Sequence, residues 1–432
     1  MGSTSSRRWL VLASYIAAVF INQAFVVQFA PILSEIETRY GVETLKASTL
    51  LLVFPFLYLV FSIPAGFAAD RRGYRFAIGI GAALQAVFAA VRIHTDSFEA
   101  LLVGQIGCAI AQPFVLNGVS KLVADWFPKK QAVLVTGFVT MGMFAGMAAG
   151  MATTPALAHA VGIRGTMVVF AALAAFVGAA FFRFVRANDV AAELAGDADT
   201  YEASNPQPQD RHASPLGVLL RNRDLLLLFG FSFIALGVFN GLVTWIEAIV
   251  APRGIGTTDA GIIGATMIVS GIGGAFVIPL LSDRAGRRKP FALACTAFGT
   301  IILFMFMRAS TLPSLVTVAA LLGFTTLGAF PVILEMCAEH AGPAHTATAT
   351  SVFMLTGNVG GLIVMVAMPL LNGDTPSFVP AMTLLLGLMV VGTGLVALIS
   401  EHGKSERDDS ASAKDTHGIP SPSASYRLSR TR

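Results

Sequence analysis

Asn22, Gln23 and Gln28, then Gln105, Gln112 and Asn117, then Asn240, Trp245 and Glu247, and finally Asn358 interrupt apolar runs of about twenty residues. A polar side chain in such a run is costly unless it finds a partner or lines a cavity, so these positions are the first candidates for chemistry. Amides recognise solutes by donating and accepting hydrogen bonds; they do not make or break covalent bonds. Gln105 and Gln112 are seven residues apart and share one helical face. A solute site is expected from Asn22, Gln28, Gln112, Asn240, Trp245 and Asn358, while each amide alone equally fits a plain bond to a neighbouring helix. Trp245 fits an interface anchor as well as a ligand contact. Glu247 is either a proton carrier or a hydrated carboxylate at the rim. No nucleophile–base set and no paired acids at one depth are present, so no enzyme is expected. Cys108, Cys295 and Cys337 are scattered, with no disulfide framework and no metal spacing. No metal and no cofactor are expected.

A second kind of chemistry lies between the runs. Gly66-Phe-Ala-Ala-Asp70-Arg71-Arg72-Gly73-Tyr74-Arg75 is echoed by Leu280-Leu-Ser-Asp283-Arg284-Ala285-Gly286-Arg287-Arg288-Lys289, with Asp70 and Asp283 213 residues apart. A turn glycine reverses the chain and arginines sit at headgroup level. The aspartate can pair with a base or a helix N-terminus. Asp70, Arg71, Gly73, Arg75, Asp283, Arg284, Gly286 and Arg287 are therefore candidate gating residues, the alternative being solvated turns. Glu335 and Glu339 lie one turn apart and are expected to pair with Arg284, Arg287 or Arg288 as a second latch, or to be solvated caps.

These residues demand an all-α membrane protein. The 432 residues are 55% hydrophobic and 12% charged, whereas charges make up about a quarter of a soluble domain. Apolar runs of about twenty residues span a bilayer as helix. Twelve transmembrane helices are predicted in two pseudo-symmetric six-helix halves. The first half has helices at about 9–33, 48–69, 70s–91, 98–124, 132–157 and 165–185. The second has them at about 225–250, 260–281, 291–307, 313–334, 346–371 and 379–400. The division is a segment 1–8, a half 9–186, a linker 187–222, a half 223–400 and a disordered tail 401–432. Arg7-Arg8 and the following run read as an uncleaved first helix. Gly142, Gly146 and Gly150, and Gly357, Gly360 and Gly361, mark close helix crossings.

Placing both termini in the cytoplasm puts Arg39, Lys46, Arg92, Arg164, Arg253 and Arg308 outside and the other 23 of 29 basic residues inside. A multi-pass plasma-membrane protein is expected, a monomer whose partners are the lipid bilayer and a small-molecule substrate. The net charge of +4 borders membrane segments and gives no argument for nucleic acid.

The charged turns resemble the signature of the major facilitator superfamily between its second and third helices and the weaker echo between its eighth and ninth. That resemblance covers about Trp9 to Ser400 and implies twelve helices, a solute path between two halves and alternating access. Three stretches are similar to the feline leukaemia virus subgroup C receptor-related family, whose members move choline and related amines, with haem also proposed. They are Gly104–Gln112 running on to Ala124-Asp-Trp126-Phe127, Glu335-Met-Cys-Ala-Glu339, and Asn22–Gln28. The resemblance implies that Gln112 and Asn358 are ligand-contacting amides and Trp245 an aromatic contact; Val26 or Val27 stands where that family has a tryptophan. Gln105 replaces the arginine that proton-driven drug antiporters of the superfamily carry in the fourth helix. The function expected is facilitative or secondary-active transport of a small neutral or cationic solute such as a choline-like amine. The rivals are proton symport through Glu247 and a non-transporting sensor with the same bundle.

Overall fold

The computed structural model describes residues 2–185, 215–342, 345–373 and 378–400, apart from the side chains of a few positions, Asp70 among them. The described residues are almost wholly helical, without a strand. Spans α1 (Gly2–Val27), α2 (Thr44–Arg72), α3 (Tyr74–Val91) and α4 (Phe98–Leu116) are followed by one continuous stretch, Lys129–Phe184. Gly162 (φ 71°, ψ 170°) bends this stretch into α5 (129–161) and α6 (163–184), a conformation that costs glycine little. The second half supplies α7 (Arg223–Thr244), α8 (Thr257–Ala285), α9 (Lys289–Arg308), α10 (Leu312–Ala341), α11 (Thr346–Asn372) and α12 (Val379–Leu398). Of the expected linker 187–222, residues 187–214 lie outside the described residues, as does the expected tail 401–432, while Pro215–Leu219 forms a short helix.

Several boundaries differ from the sequence-based expectation. The first helix starts at Gly2 and stops at Val27 rather than near Leu33. Pro31 has no N–H, and its ring would strike the carbonyl four residues earlier, so the helix ends at Val27. The chain resumes as a 3-10 turn, Ala30–Ile32, and a short helix, Leu33–Tyr40. The seventh span likewise ends at Thr244 instead of near Val250, and Ile246–Val250 forms its own short helix. The fourth breaks at Asn117, before Val119–Trp126. Asn117 accepts from Tyr58 and donates to Ser62 O and Oγ, which ties the break to α2.

The two halves repeat a close crossing. A Cβ on Gly146 would lie 2.1 Å from Phe20 O, and one on Gly360 would lie 2.0 Å from Phe233 O. Only glycine lets α1 meet α5, and α7 meet α11, at that distance.

Both charged turns lie at one end of the bundle, with Arg8 near Phe127 and Ser400 near His340. At the opposite, far end one apolar core runs through both halves and includes Leu33, Met151, Ile163, Trp245, Ile246, Ile263 and Met365. At the terminal end the core divides: Val11–Val185 residues pack only among themselves, as do Leu219–Ile399 residues. The halves are thus sealed together at the far end and separate at the other. The seams are α5 against α8 and α2 against α11. Large apolar side chains such as Phe176, at 72% exposure, face outward from the bundle, as a lipid-facing surface requires.

Candidate functional site

At the terminal end the two turns share a glycine of positive φ, and the described side chains around them pair differently. Gly73 (φ 84°) and Gly286 (φ 66°) end α2 and α8. In the second half, Arg288 at the cap of α9 collects three carboxylates: Glu339 at 2.8 Å, Asp283 at 3.4 Å and Glu335 at 3.5 Å. It thereby ties the ends of α8, α9 and α10. Arg284 and Arg287 are exposed, and the expected pairing of Glu335 and Glu339 is made with Arg288. In the first half Arg75 donates from Nε and Nη2 to Val185 O, at 3.1 and 2.6 Å, and holds the end of α6. Arg71 and Arg72 lie over Phe67 and Phe76, and Lys121 donates to Ala69 O. The Asp70 side chain lies outside the described residues. Each of these contacts stays within one half.

Among the described residues, the polar contacts that cross between halves lie at the far end. Ser34, in the first turn of Leu33–Tyr40, donates its N–H to Glu247 Oε2 at 3.1 Å and its hydroxyl to Glu247 Oε1. The carboxylate of one half thus caps the orphan amides at the start of a helix of the other, where the helix dipole favours negative charge. Glu247 is 4% exposed, so the hydrated rim carboxylate expected from its position near a helix end is a buried one. It sits beyond α7, where desolvation pushes its carboxyl up to about 7 against the pull of the Ser34 donors. Beside it Thr257 donates to Glu35 at 3.1 Å and meets His159 Nε2 at 3.0 Å, joining the start of α8 to α5 and the Leu33–Tyr40 helix.

The candidate solute contacts divide into two groups. Asn22 is fully buried and donates to Gln85 Oε1 on α3 at 3.1 Å; Gln28 is fully buried and donates to Met167 Sδ on α6 at 3.9 Å. Both spend an amide N–H on a partner within their own half. Trp245 is fully buried, donates its indole N–H to Met365 O at 2.9 Å and packs on Phe378. Its ring belongs to the far-end core, which accounts for an aromatic beside the break in α7. In the other group, Asn240 on α7 lies against Gly361 of α11 and is half-buried; a Cβ on Gly361 would come within 2.6 Å of its Nδ2. Asn358, one turn earlier on α11, is half-buried and bonds Met354 O in its own helix. Gln112 is buried, and its Oε1 has no donor. Asn22 Oδ1 and Gln28 Oε1 are in the same condition, as is Gln131 Oε1 near the start of α5, so four buried amide carbonyls of the first half lack a donor among the described residues.

Arg92 was assigned by the sequence to an outside loop. The structure folds it inward: it is fully buried at the cap of α3, donates to Gln105 Oε1 at 2.8 Å and lies 4.0 Å over the Phe25 ring. Gly104 and Gly107 on α4 were the signal that could have found it, since a Cβ at Gly104 would stand 2.4 Å from Arg92 Cγ.

The profile of the Major Facilitator Superfamily matches residues 11–365 and 256–421. The chain is 27% identical to solute carrier family 49 member A3 of Xenopus tropicalis, over 84% of this chain and 77% of that one. It is 24% identical to the choline/ethanolamine transporter FLVCR1 of Mus musculus, over 91% of this chain and 75% of that one. Among solved structures it resembles a bacterial homolog to the human lysosomal transporter Spinster, at TM-score 0.65 and 16% identity, covering 98% of this chain and 100% of that one. That likeness concerns the fold.

Proposed function

Starting from the fact that the chain belongs to the Major Facilitator Superfamily of transporters, we propose that it carries a small neutral or cationic organic solute, of the choline or ethanolamine kind, by alternating access and without ion coupling. The observation that carries this reading is the set of buried carbonyl oxygens without donors on Asn22, Gln28 and Gln112. Such a site offers acceptors to the hydroxyl or ammonium protons of an amino alcohol. Acids among the described residues of the spans sit at helix ends, so no carboxylate competes at mid-depth. The names of the similar choline/ethanolamine transporters support the same class. Gln112, Asn240 and Asn358 are the contacts proposed to face the path, Asn22 and Gln28 are proposed to offer their free carbonyls to the same solute, and Trp245 holds the far-end core.

The basic-residue bias supports a cytoplasmic terminal end in the plasma membrane, so the conformation described, sealed at the far end, is inward-facing. Asp70, Arg71, Gly73 and Arg75, with Asp283, Arg284, Gly286, Arg287, Glu335 and Glu339, form the ends that must shift when the inner side closes. The protein acts as a monomer in this reading. Counterflow of labelled choline and ethanolamine into proteoliposomes tests it: uptake is expected, with KM raised about tenfold by Gln112→Ala. Absence of uptake for every small amine would favour a sensor, and an unchanged KM would remove Gln112 from the path.

The second reading is proton symport through Glu247, which its burial favours. Against it stands the place of the carboxyl at the sealed far end, where it takes and returns its proton on one side. Substrate-driven alkalinisation of proteoliposomes abolished by Glu247→Gln would establish symport instead.

A further inference from the structure

Arg92 presents an unfilled receptor. Its Nη1 is occupied by Gln105, but Nε and Nη2 have no acceptor among the described residues. Those two N–H groups share one edge of the planar fork, the edge that meets both oxygens of a carboxylate. No carboxylate of the described residues forms an ion pair with it. A guanidinium buried without a counter-charge is costly, and a π face and one amide oxygen offset that cost in part.

The fork is also held in one orientation. Gln105 donates its Nε2 to Leu50 O at 2.9 Å and to Phe25 O at 3.3 Å, which fixes its carbonyl on Nη1. Phe25 is itself braced edge-on by Phe170. The groups that hold the fork thus come from α1, α2 and α4, and α2 is one of the helices at the seam between the halves. Three residues from Phe25 on the same helix, about 5 Å along the axis, Asn22 carries one of the carbonyl oxygens without a donor. A cation acceptor and an oxyanion receptor therefore lie one helical turn apart along α1.

We propose that the Nε/Nη2 edge of Arg92 receives the carboxylate of a zwitterionic substrate, a short amino acid or betaine, when α1 moves away from α3 as the far end opens. The inference rests on the amine reading above and narrows it: the ammonium end meets the Asn22 and Gln112 carbonyls, the carboxylate end meets Arg92. A zwitterion satisfies both while adding no net charge to a site that already holds the guanidinium.

Paired competitors that differ only at one end decide it. Displacement of labelled choline from proteoliposome-reconstituted protein is measured with choline against glycine betaine and ethanolamine against glycine. The carboxylated member of each pair is expected to compete at least tenfold better in the wild type. That advantage should vanish in Arg92→Lys, which keeps charge but loses the bidentate edge, and in Arg92→Gln, while choline itself shifts less than threefold. Size-exclusion profiles establish that both variants fold; Arg92→Lys carries the test if Arg92→Gln does not. Equal competition within each pair in the wild type, or equal loss of all four compounds in the variants, overturns the proposal and leaves the amine reading standing. Arg92-dependent binding of acetate or propionate with no binding of any amine would retain the receptor and defeat the amine reading. An Arg92-dependent requirement for chloride, shown by replacing it with a bulky anion that bears no carboxylate, would assign the edge to a resident ion and overturn the substrate form.

Discussion

Ser34 and Glu247 touch, and they occupy equivalent places in the two halves: they are 213 residues apart, the same interval that separates Asp70 from Asp283. Equivalent residues of a two-fold repeat can meet only on the axis that relates them. The contact therefore lies on the pseudo-two-fold axis at the sealed end, where the short segments beyond the first and seventh spans meet. A hinge or latch placed there acts on both halves symmetrically, although a serine faces a glutamate.

Ser34→Ala removes the hydroxyl donor but keeps the backbone N–H. A hydrogen bond to a charged group is worth about 1.5–3 kcal/mol, so the sealed state should lose tenfold or more against the opened one. Maleimide labelling of a cysteine placed at buried Met151 should accelerate in this variant. An unchanged labelling rate would show that the contact does not hold the seam.

The same contact sets a pH dependence. Burial raises the Glu247 carboxyl from 4.5 to about 7 in the sealed state, with Glu37 adding to the rise and Ser34 opposing it; Glu35, Thr257 and His159 complete the polar face around it. Opening returns it to water and to its ordinary value. The sealed state therefore binds the proton more tightly, is favoured fully below about 4.5, and loses that advantage as pH rises to about 7. Labelling from the far side is expected to quicken between those values. Glu247→Gln should flatten the profile and His159→Gln should keep it.

Gly261 on α8 approaches α5 so closely that a Cβ would stand 2.4 Å from Met151 O. Gly261→Val is expected to hold the seam apart, abolishing exchange while leaving expression and monodispersity intact. Transport at the wild-type rate would mean that the far-end seal need not close at this point.

Arg288 pairs with three acids, so Arg288→Ala leaves Asp283, Glu335 and Glu339 facing one another, whereas Asp283→Asn removes only one partner. The arginine variant should lower the thermal midpoint by several degrees more than the aspartate variant. Asp70→Asn in the first half should leave the midpoint nearly unchanged and cut transport. Loss of stability without loss of exchange in Asp70→Asn would make the first turn structural.

Twelve spans, two halves, the turns at Gly73 and Gly286 and the glycine crossings were legible in the sequence, because run length, charge placement and small-residue spacing depend on neighbours along the chain. The direction each polar side chain takes was not. In a soluble helix the apolar stripe marks the inner face, but in a bilayer lipid and protein interior are equally apolar, and the rotation of a helix about its axis leaves no periodic trace. Only the tertiary structure turned Asn22 toward Gln85 and Trp245 toward Met365, and brought Glu247 onto Ser34. Arg92 shows the same limit at a helix end. A long side chain there can reach water or fold back, and the space left by Gly104 together with the carbonyl of Gln105 decided that it folds back.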